Sequence, residues 1–406
     1  MNILIVNTFN RGGGAERVAK QLFEKLKDRG IYVYFFAGYG ESIEDGEVAF
    51  ENKFEIKLNI LKCVVQNNQP LEVAKSKNRL LDIIEKKKID IVHFHNIHGN
   101  YMGIKDIVDI TKKCKVVWTL HDMWAFTGHC AYAFDCKAWE ENECKKCTTR
   151  RVYPAFYYND VHYKFKLKQK KFIDNNITFV VPSMWLKNFA KISFLKNEDI
   201  RLIHNGVSLD EYKLIDKDKT RDKYSVQKNK DIIMFGAATM NNKFKGMEYI
   251  YSMLEKLSSK ENYVLLVVGN GFLKEKVSDR YNIIEFGYVR DTDKMNEIYG
   301  MADIFVMPSL AENYPCTVLE SMASGTPVLA FETGGIPEQI NNDNGWIISE
   351  KSGENLANKI ANIFIDKNKL KDKQSKCRGY IEKNNSEDKM INEYMSLFDS
   401  INSKKL

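Results

Sequence analysis

MNILIVNTFNRGGGAERVAKQLFEKLKDRGIYVYFFA, residues 1–37, places a strand, a glycine turn, a helix and a second strand in immediate succession. Asn2 to Phe9 is an apolar run of strand length, and Ile31 to Ala37 is another. Between them, Ala15 to Arg29 carries Val18, Leu22, Phe23 and Leu26 at the three- and four-residue spacing that puts one apolar stripe on a helix. Strands that are apolar on both faces and alternate with helices belong to a parallel sheet covered on both sides.

The same unit recurs outward from this stretch. A helix is expected over Ala74 to Lys86, a strand over Ile89 to Phe94, a helix over Ile104 to Lys112, and strands over Lys115 to Leu120 and Thr178 to Pro182. Ser183 then suits the N-cap of a helix. Asn205 to Asn229 is polar and charged, as a linker would be. A second strand–helix series follows, with strands near 231–235, 263–268, 283–286, 304–307, 328–330 and 346–348. Helices are expected near 247–257, 293–301, 316–324, 355–365 and 387–398. The expectation is an N-terminal Rossmann-like domain over 1–205 and a second one over 206–385. A C-terminal helix in 386–406 should pack back toward the first, and ligands should meet the strand ends at a shared cleft.

Composition agrees. A chain of 406 residues exceeds what one hydrophobic core usually serves, and 44% apolar with 28% charged residues is the balance of a soluble enzyme. No run of apolar residues is long enough to span a bilayer as a helix. The opening lacks a basic leader, so the sequence reads as cytoplasmic. The net charge of +7 is uneven: Cys144 to Lys171 holds nine Lys or Arg against Asp160, interleaved with Tyr153, Phe156, Tyr157, Tyr158, Tyr163 and Phe165. Basic and aromatic residues together suit the anionic inner face of a membrane, although lysine stems can equally cover a helix's own aromatics. No nucleic-acid motif accompanies the charge, and nucleic acid is not expected as a partner.

Three places carry chemistry. The first is Arg11, Gly12, Gly13, Gly14, Ala15 and Glu16 between strand and helix, where glycine backbone and helix-start amides can approach a phosphate. The second is His121 in the His121–Asp122 pair at a strand end, with His93, His95 and His98 at another; His121 can hydrogen-bond a sugar hydroxyl or a phosphate, or be braced by Asp122. At least one of the other three histidines is expected on a cleft wall. The third is Ser309 to Glu320, SLAENYPCTVLE, which sets Glu312 in the loop after a strand and Glu320 inside the next helix. Two carboxylates so placed can hold separate hydroxyls while the intervening helix-start amides meet a diphosphate.

These residues resemble glycosyltransferase family 4. Glu312 and Glu320 match its E-x7-E motif, continued by ASGTPVLAFETGGIPEQI over 323–340. Gly13 and Gly14, His121, Ser183 in VPS, Asn205, Gly206 and Val207 in HNGV, and Lys245 with Gly246 match in the family's order. The resemblance implies a GT-B fold of two Rossmann-like domains and a retaining hexosyltransferase that uses a nucleotide diphosphate sugar without a catalytic metal. It further implies that Glu312 contacts the donor sugar, Glu320 the ribose and Lys245 the diphosphate. Gly13 and Gly14 would present amides, His121 would touch the sugar, and Asn313, Thr317 and Val318 would line the donor. Many relatives carry an arginine a few residues before the lysine. Here the stretch is GAATMNNKFKG, in which Lys243 is the substitute. The acceptor would be a glycan or lipid-linked glycan of surface polysaccharide synthesis. The alternatives are a non-catalytic partner in glycan assembly and a GT-B nucleotide-sugar epimerase.

Cys130, Cys136, Cys144 and Cys147 form C-x5-C-x7-C-x2-C in an insert at about 128–160, directly after the His–Asp pair. Four thiolates can complete a structural zinc site, with His129 a substitute for one of them. Two disulfides and unligated thiols are the other readings, and a cytoplasmic chain argues against disulfides.

Overall fold

The computed structural model describes residues 1–10, 12–40, 46–49, 74–98, 101–151, 154 and 161–403. Arg11, Cys63, Tyr153, Phe156, Tyr157, Tyr158 and Asp160 lie outside the described residues. The chain divides into two compact units, Met1–His204 with Met390–Leu406, and Asn205–Lys389.

The first unit is built on seven parallel strands: β1 (Asn2–Phe9), β2 (Tyr32–Tyr39), β3 (Glu47–Ala49), β4 (Ile91–Phe94), β5 (Lys115–Thr119), β6 (Ile177–Val181) and β7 (Ile200–Leu202). Their order is β3-β2-β1-β4-β5-β6-β7, so the direction of winding reverses between β1 and β4. The helix Gly14–Asp28 starts one residue earlier than expected and buries Val18, Leu22, Phe23 and Leu26. Ser183 caps Met184–Ile192, its hydroxyl accepting from the Leu186 amide at 3.0 Å. The last helix, Glu387–Asn402, returns to this unit: the Tyr394 hydroxyl lies 2.8 Å from Thr119 Oγ1, and Lys115 Nζ donates to the Asn402 carbonyl at 2.8 Å.

The second unit has six parallel strands: β8 (Asp231–Thr239), β9 (Tyr263–Asn270), β10 (Asn282–Gly287), β11 (Ile304–Met307), β12 (Val328–Phe331) and β13 (Gly345–Ile348). The order is β10-β9-β8-β11-β12-β13, with the reversal between β8 and β11. Along β8, Ile232 and Met234 enter one core while Ile233 and Phe235 enter another on the opposite face. This is why its strands are apolar without alternation.

Two expectations are corrected. Asn205 to Asn229 is not a linker: it opens the second unit, buries Val207, Tyr212 and Val226, and forms the helix Lys217–Lys223. Ion pairs hold that helix, with Lys217 Nζ 2.7 Å and Arg221 Nη2 2.9 Å from Asp303 Oδ1 ahead of β11. Burial pushes the Asp303 carboxyl up, but the two cations outweigh it and hold it below its ordinary value. The basic helix Val161–Phe172 is also not one charged face. Lys164 and Lys168 are buried with Phe165, while Tyr163, Lys166 and Lys170 are exposed. No helix among the described residues is long and apolar enough to cross a membrane.

Asp303→Asn would strip the charge from a carboxylate that serves Lys217, Arg221 and the Ile232 amide. A loss of about 3 kcal/mol is expected, since two cations keep their burial and lose their counter-charge. Urea unfolding followed on the second unit checks this, and an unchanged midpoint contradicts it.

Candidate active site

In the second unit, three loops leave the carboxyl ends of the neighbouring strands β8, β11 and β12 and meet at Glu312. The single 3-10 turn Lys243–Lys245 follows β8, and Lys245 Nζ donates to Glu312 Oε1 at 2.7 Å. The turn is stitched to the β11 loop by the Leu310 amide, which donates to the Phe244 carbonyl at 2.7 Å. Gly246 ends the turn at φ +68°, and a Cβ there would run into the Pro308 carbonyl oxygen. From the other side, Gly334 after β12 has φ +56° and packs flat on the Glu312 carbonyl, where any side chain would collide. The Gly335 amide then donates to the Asn313 carbonyl at 2.8 Å. Glycine is therefore required at both positions by close approach as well as by backbone conformation. The lysine–glutamate pair is thus fixed at the point between β8 and β11 where the winding reverses, the place in an open α/β sheet where ligands bind.

The other second-unit candidates divide. Asn313 is buried beside Glu312, and Thr317 stands exposed in the first turn of the helix Cys316–Ala323. The Val318 side chain is wholly in the core, so only its backbone can face a ligand. Glu320 is buried and accepts from the Tyr299 hydroxyl at 3.3 Å. Lys243 is exposed. A two-residue step in a 3-10 turn rotates a side chain by about 120°, so Lys243 does not share the face of Lys245.

Sequence reasoning had no role for Asn205 beyond its motif. Its side-chain amide donates to the Tyr314 carbonyl at 2.8 Å, and Asn385 Nδ2 donates to the Tyr314 hydroxyl at 2.8 Å. Val207 and Glu387 exchange backbone hydrogen bonds with the neighbouring segment, Val207 N to Asn385 O and Glu387 N to Val207 O, each at 2.9 Å. The segments that enter and leave the second unit are thereby clamped behind the loop that carries Glu312.

In the first unit, Gly13 and Gly14 open the helix after β1, and the histidines gather after β4 and β5, at that sheet's own reversal. His95 Nδ1 lies 2.9 Å from His121 Nε2, and the rings stack. His98 Nε2 lies 2.9 Å from Asp122 Oδ2. Asp122 Oδ1 also accepts from the Trp124 amide at 2.8 Å. His93 is a core residue, not a wall: it bonds Thr119 Oγ1 at 2.8 Å and packs on Tyr394 and Phe398 of the last helix. Burial drives its pKa down to about 3 and that of His121 to about 4. His95 is also driven well down. The rings are neutral near pH 7, so one of His95 and His121 donates to the other.

The loop beyond Asp122 hangs on Lys168. Its buried ammonium donates to the carbonyls of Trp124 at 2.6 Å, Thr127 at 3.1 Å and Gly128 at 3.4 Å, and sits 3.6 Å from the Trp124 ring centre. Nothing in the sequence distinguished this lysine from its neighbours. The same loop leads into a cavity lined by Cys130, Cys136, Cys144 and Cys147.

Residues 12–211 match the model described as Glycosyltransferase Family 4, and residues 216–384 the model described as Glycosyl transferases group 1. WcaC of Escherichia coli, named for a glycosyl transfer step in colanic acid biosynthesis, is 25% identical over 369 residues, covering 86% of this chain and 88% of its own. The chain is a glycosyltransferase of the family 4 type. Its fold is shared with a glycosyltransferase from Rickettsia africae, at a TM-score of 0.71 and 22% identity over 100% of this chain and 99% of that one. Anabaena HepE, solved with UDP-glucose, shares it at a TM-score of 0.67 and 15% identity over 98% and 100%. The architecture is GT-B, and the relatives favour neither a non-catalytic partner nor an epimerase.

The transferase's histidines give its stability a pH signature. A base whose folded pKa lies below its unfolded value contributes stability above that unfolded value, here 6.5, and loses it as pH falls toward about 4. The first unit should therefore melt at progressively lower temperature from pH 7 to pH 5, and His93→Gln should flatten that slope. Parallel pH profiles for parent and variant would contradict the assignment.

Proposed function

We propose that this transferase moves a hexose from a nucleotide diphosphate sugar, with retention at the anomeric carbon, onto a glycan or lipid-linked glycan in surface polysaccharide synthesis. The observation that carries the reading is the Lys245–Glu312 pair at the strand reversal. The UDP-glucose bound by Anabaena HepE and the colanic acid role in the name of WcaC support the donor class and the pathway class.

In this reading the bond between the sugar and the diphosphate oxygen breaks while the acceptor hydroxyl bonds to the same face of the sugar, and the acceptor proton passes to the departing diphosphate. Lys245 leaves Glu312 for the diphosphate, where negative charge develops, and the first amides of Cys316–Ala323 share that charge. The exchange needs compensation at both ends: the diphosphate replaces the counter-charge of Lys245, and a sugar hydroxyl must satisfy the buried Glu312 carboxylate. Glu312, released, holds a hydroxyl of the sugar, and Glu320 holds the ribose. Gly13 and Gly14 present amides, Asn313, Thr317 and Val318 line the donor, and His121 offers a neutral hydrogen bond to the sugar. Lys243 adds long-range positive potential without a direct bond. Exposed Tyr163, Lys166 and Lys170 support work at the cytoplasmic face of a membrane on a lipid-linked acceptor.

Glu312→Gln keeps the shape and removes the charge. Transfer should fall roughly a hundredfold, as for loss of one preorganised electrostatic contact, with the melting temperature nearly unchanged. A folded variant that transfers at the parental rate would sink the role.

A further inference from the structure

Four cysteines and one histidine converge on a single cavity in the first unit. It is lined by His129, Cys130, Cys136, Cys144 and Cys147 together with Thr127, Trp139, Thr149 and Val161 among others. All four cysteines carry free thiols. His129 is oriented from behind: its Nδ1 lies 2.8 Å from the Pro154 carbonyl oxygen. A carbonyl only accepts, so Nδ1 carries the proton and Nε2 presents its lone pair to the cavity. That nitrogen stands 3.5 Å from Cys130 Sγ and 3.5 Å from Cys147 Sγ. A tetrahedral ion with zinc-like bonds to sulfur and nitrogen separates those atoms by about 3.6 Å. A ring nitrogen held through its partner N–H by a backbone carbonyl is how metal-ligating histidines are fixed.

The turn that supplies the last two thiols has a backbone made for the purpose. Glu143 and Cys144 take φ +56° and +60°, left-handed values that cost a residue with a side chain about 1–3 kcal/mol each. The strain brings Cys144 and Cys147, the ends of a C-x2-C, to one wall of the cavity.

We infer that this cavity is a structural zinc site whose ligands are His129 Nε2 and the sulfurs of Cys130, Cys144 and Cys147. Among the described residues, no three such side chains already surround a metal position, so the site requires the donors to move inward on binding. Binding displaces three thiol protons to solvent. The ion sits beyond the stretch that runs from Asp122 to Cys130, whose carbonyls Lys168 holds, and it anchors the far end of that stretch. Its role is to position the His–Asp loop, not to touch substrate.

The test is elemental analysis of the full chain purified without a metal-binding tag, joined to cobalt substitution. One zinc per chain, and visible cobalt bands of tetrahedral thiolate ligation, are expected. Cys136→Ser should keep the metal, whereas Cys147→Ser and His129→Gln should lose it or hold it at least tenfold more weakly. Should a variant fail to fold, the zinc content and cobalt spectrum of the parent still decide, and its intact mass under denaturing, non-reducing conditions should show all four thiols reduced, which excludes disulfides. Substoichiometric zinc overturns the proposal, as do disulfides in the native chain. Retention by His129→Gln with loss by Cys136→Ser overturns the ligand set.

Discussion

Three loop ends pack against one residue, Glu312, whose carboxylate takes the Lys245 ammonium and whose backbone carbonyl lies under Gly334, and much else in the second unit follows from that constraint. Lys245 can meet Glu312 at 2.7 Å only because Gly246 lets the β8 turn lie against Pro308 and Gly334 lets the β12 loop lie on the Glu312 carbonyl. Parallel strands β8, β11 and β12 deliver those loops side by side, and the reversal of winding leaves the space above them uncovered by a crossover. The Asn205–Tyr314–Asn385 clamp supports the same loop from behind.

The first unit repeats the plan with different chemistry. Its reversal lies between β1 and β4, and beside it His95 and His121 stack while His98 meets the Asp122 carboxylate. Burial keeps His93 and His121 uncharged, and the last helix seals His93 through Tyr394 and Phe398. An uncharged hydrogen-bonding surface is chemically distinct from the lysine–glutamate pair of the second unit.

Much of this was legible in residues. Uniformly apolar strands and the stripe of Val18, Leu22, Phe23 and Leu26 announced parallel sheets with helical layers, and Ser183 announced its helix. What escaped notice was held by charge or spoiled by it. The helix Lys217–Lys223 has no apolar residue to show a period, and its attachment is an ion cluster on Asp303, eighty residues away in sequence or more. Lys367–Asn384 buries Leu370, Cys377 and Ile381 at helical spacing, but a buried Lys373 interrupts the stripe. Glu312 and Lys245 were legible as motif members, yet their contact was not, because only the sheet order joins residues so distant in sequence. Lys168 and Tyr299 looked like neighbours of the same type, and their partners are set by tertiary packing alone.

The most direct measurement is a calorimetric titration of the full chain with UDP and other nucleoside diphosphates, repeated on Lys245→Met. Selective binding of one diphosphate is predicted, weakened roughly tenfold to a hundredfold in the variant, the worth of a hydrogen bond to a charged group. A variant that binds as tightly as its parent, or a folded parent that binds none, would contradict a donor site centred on Lys245 and Glu312.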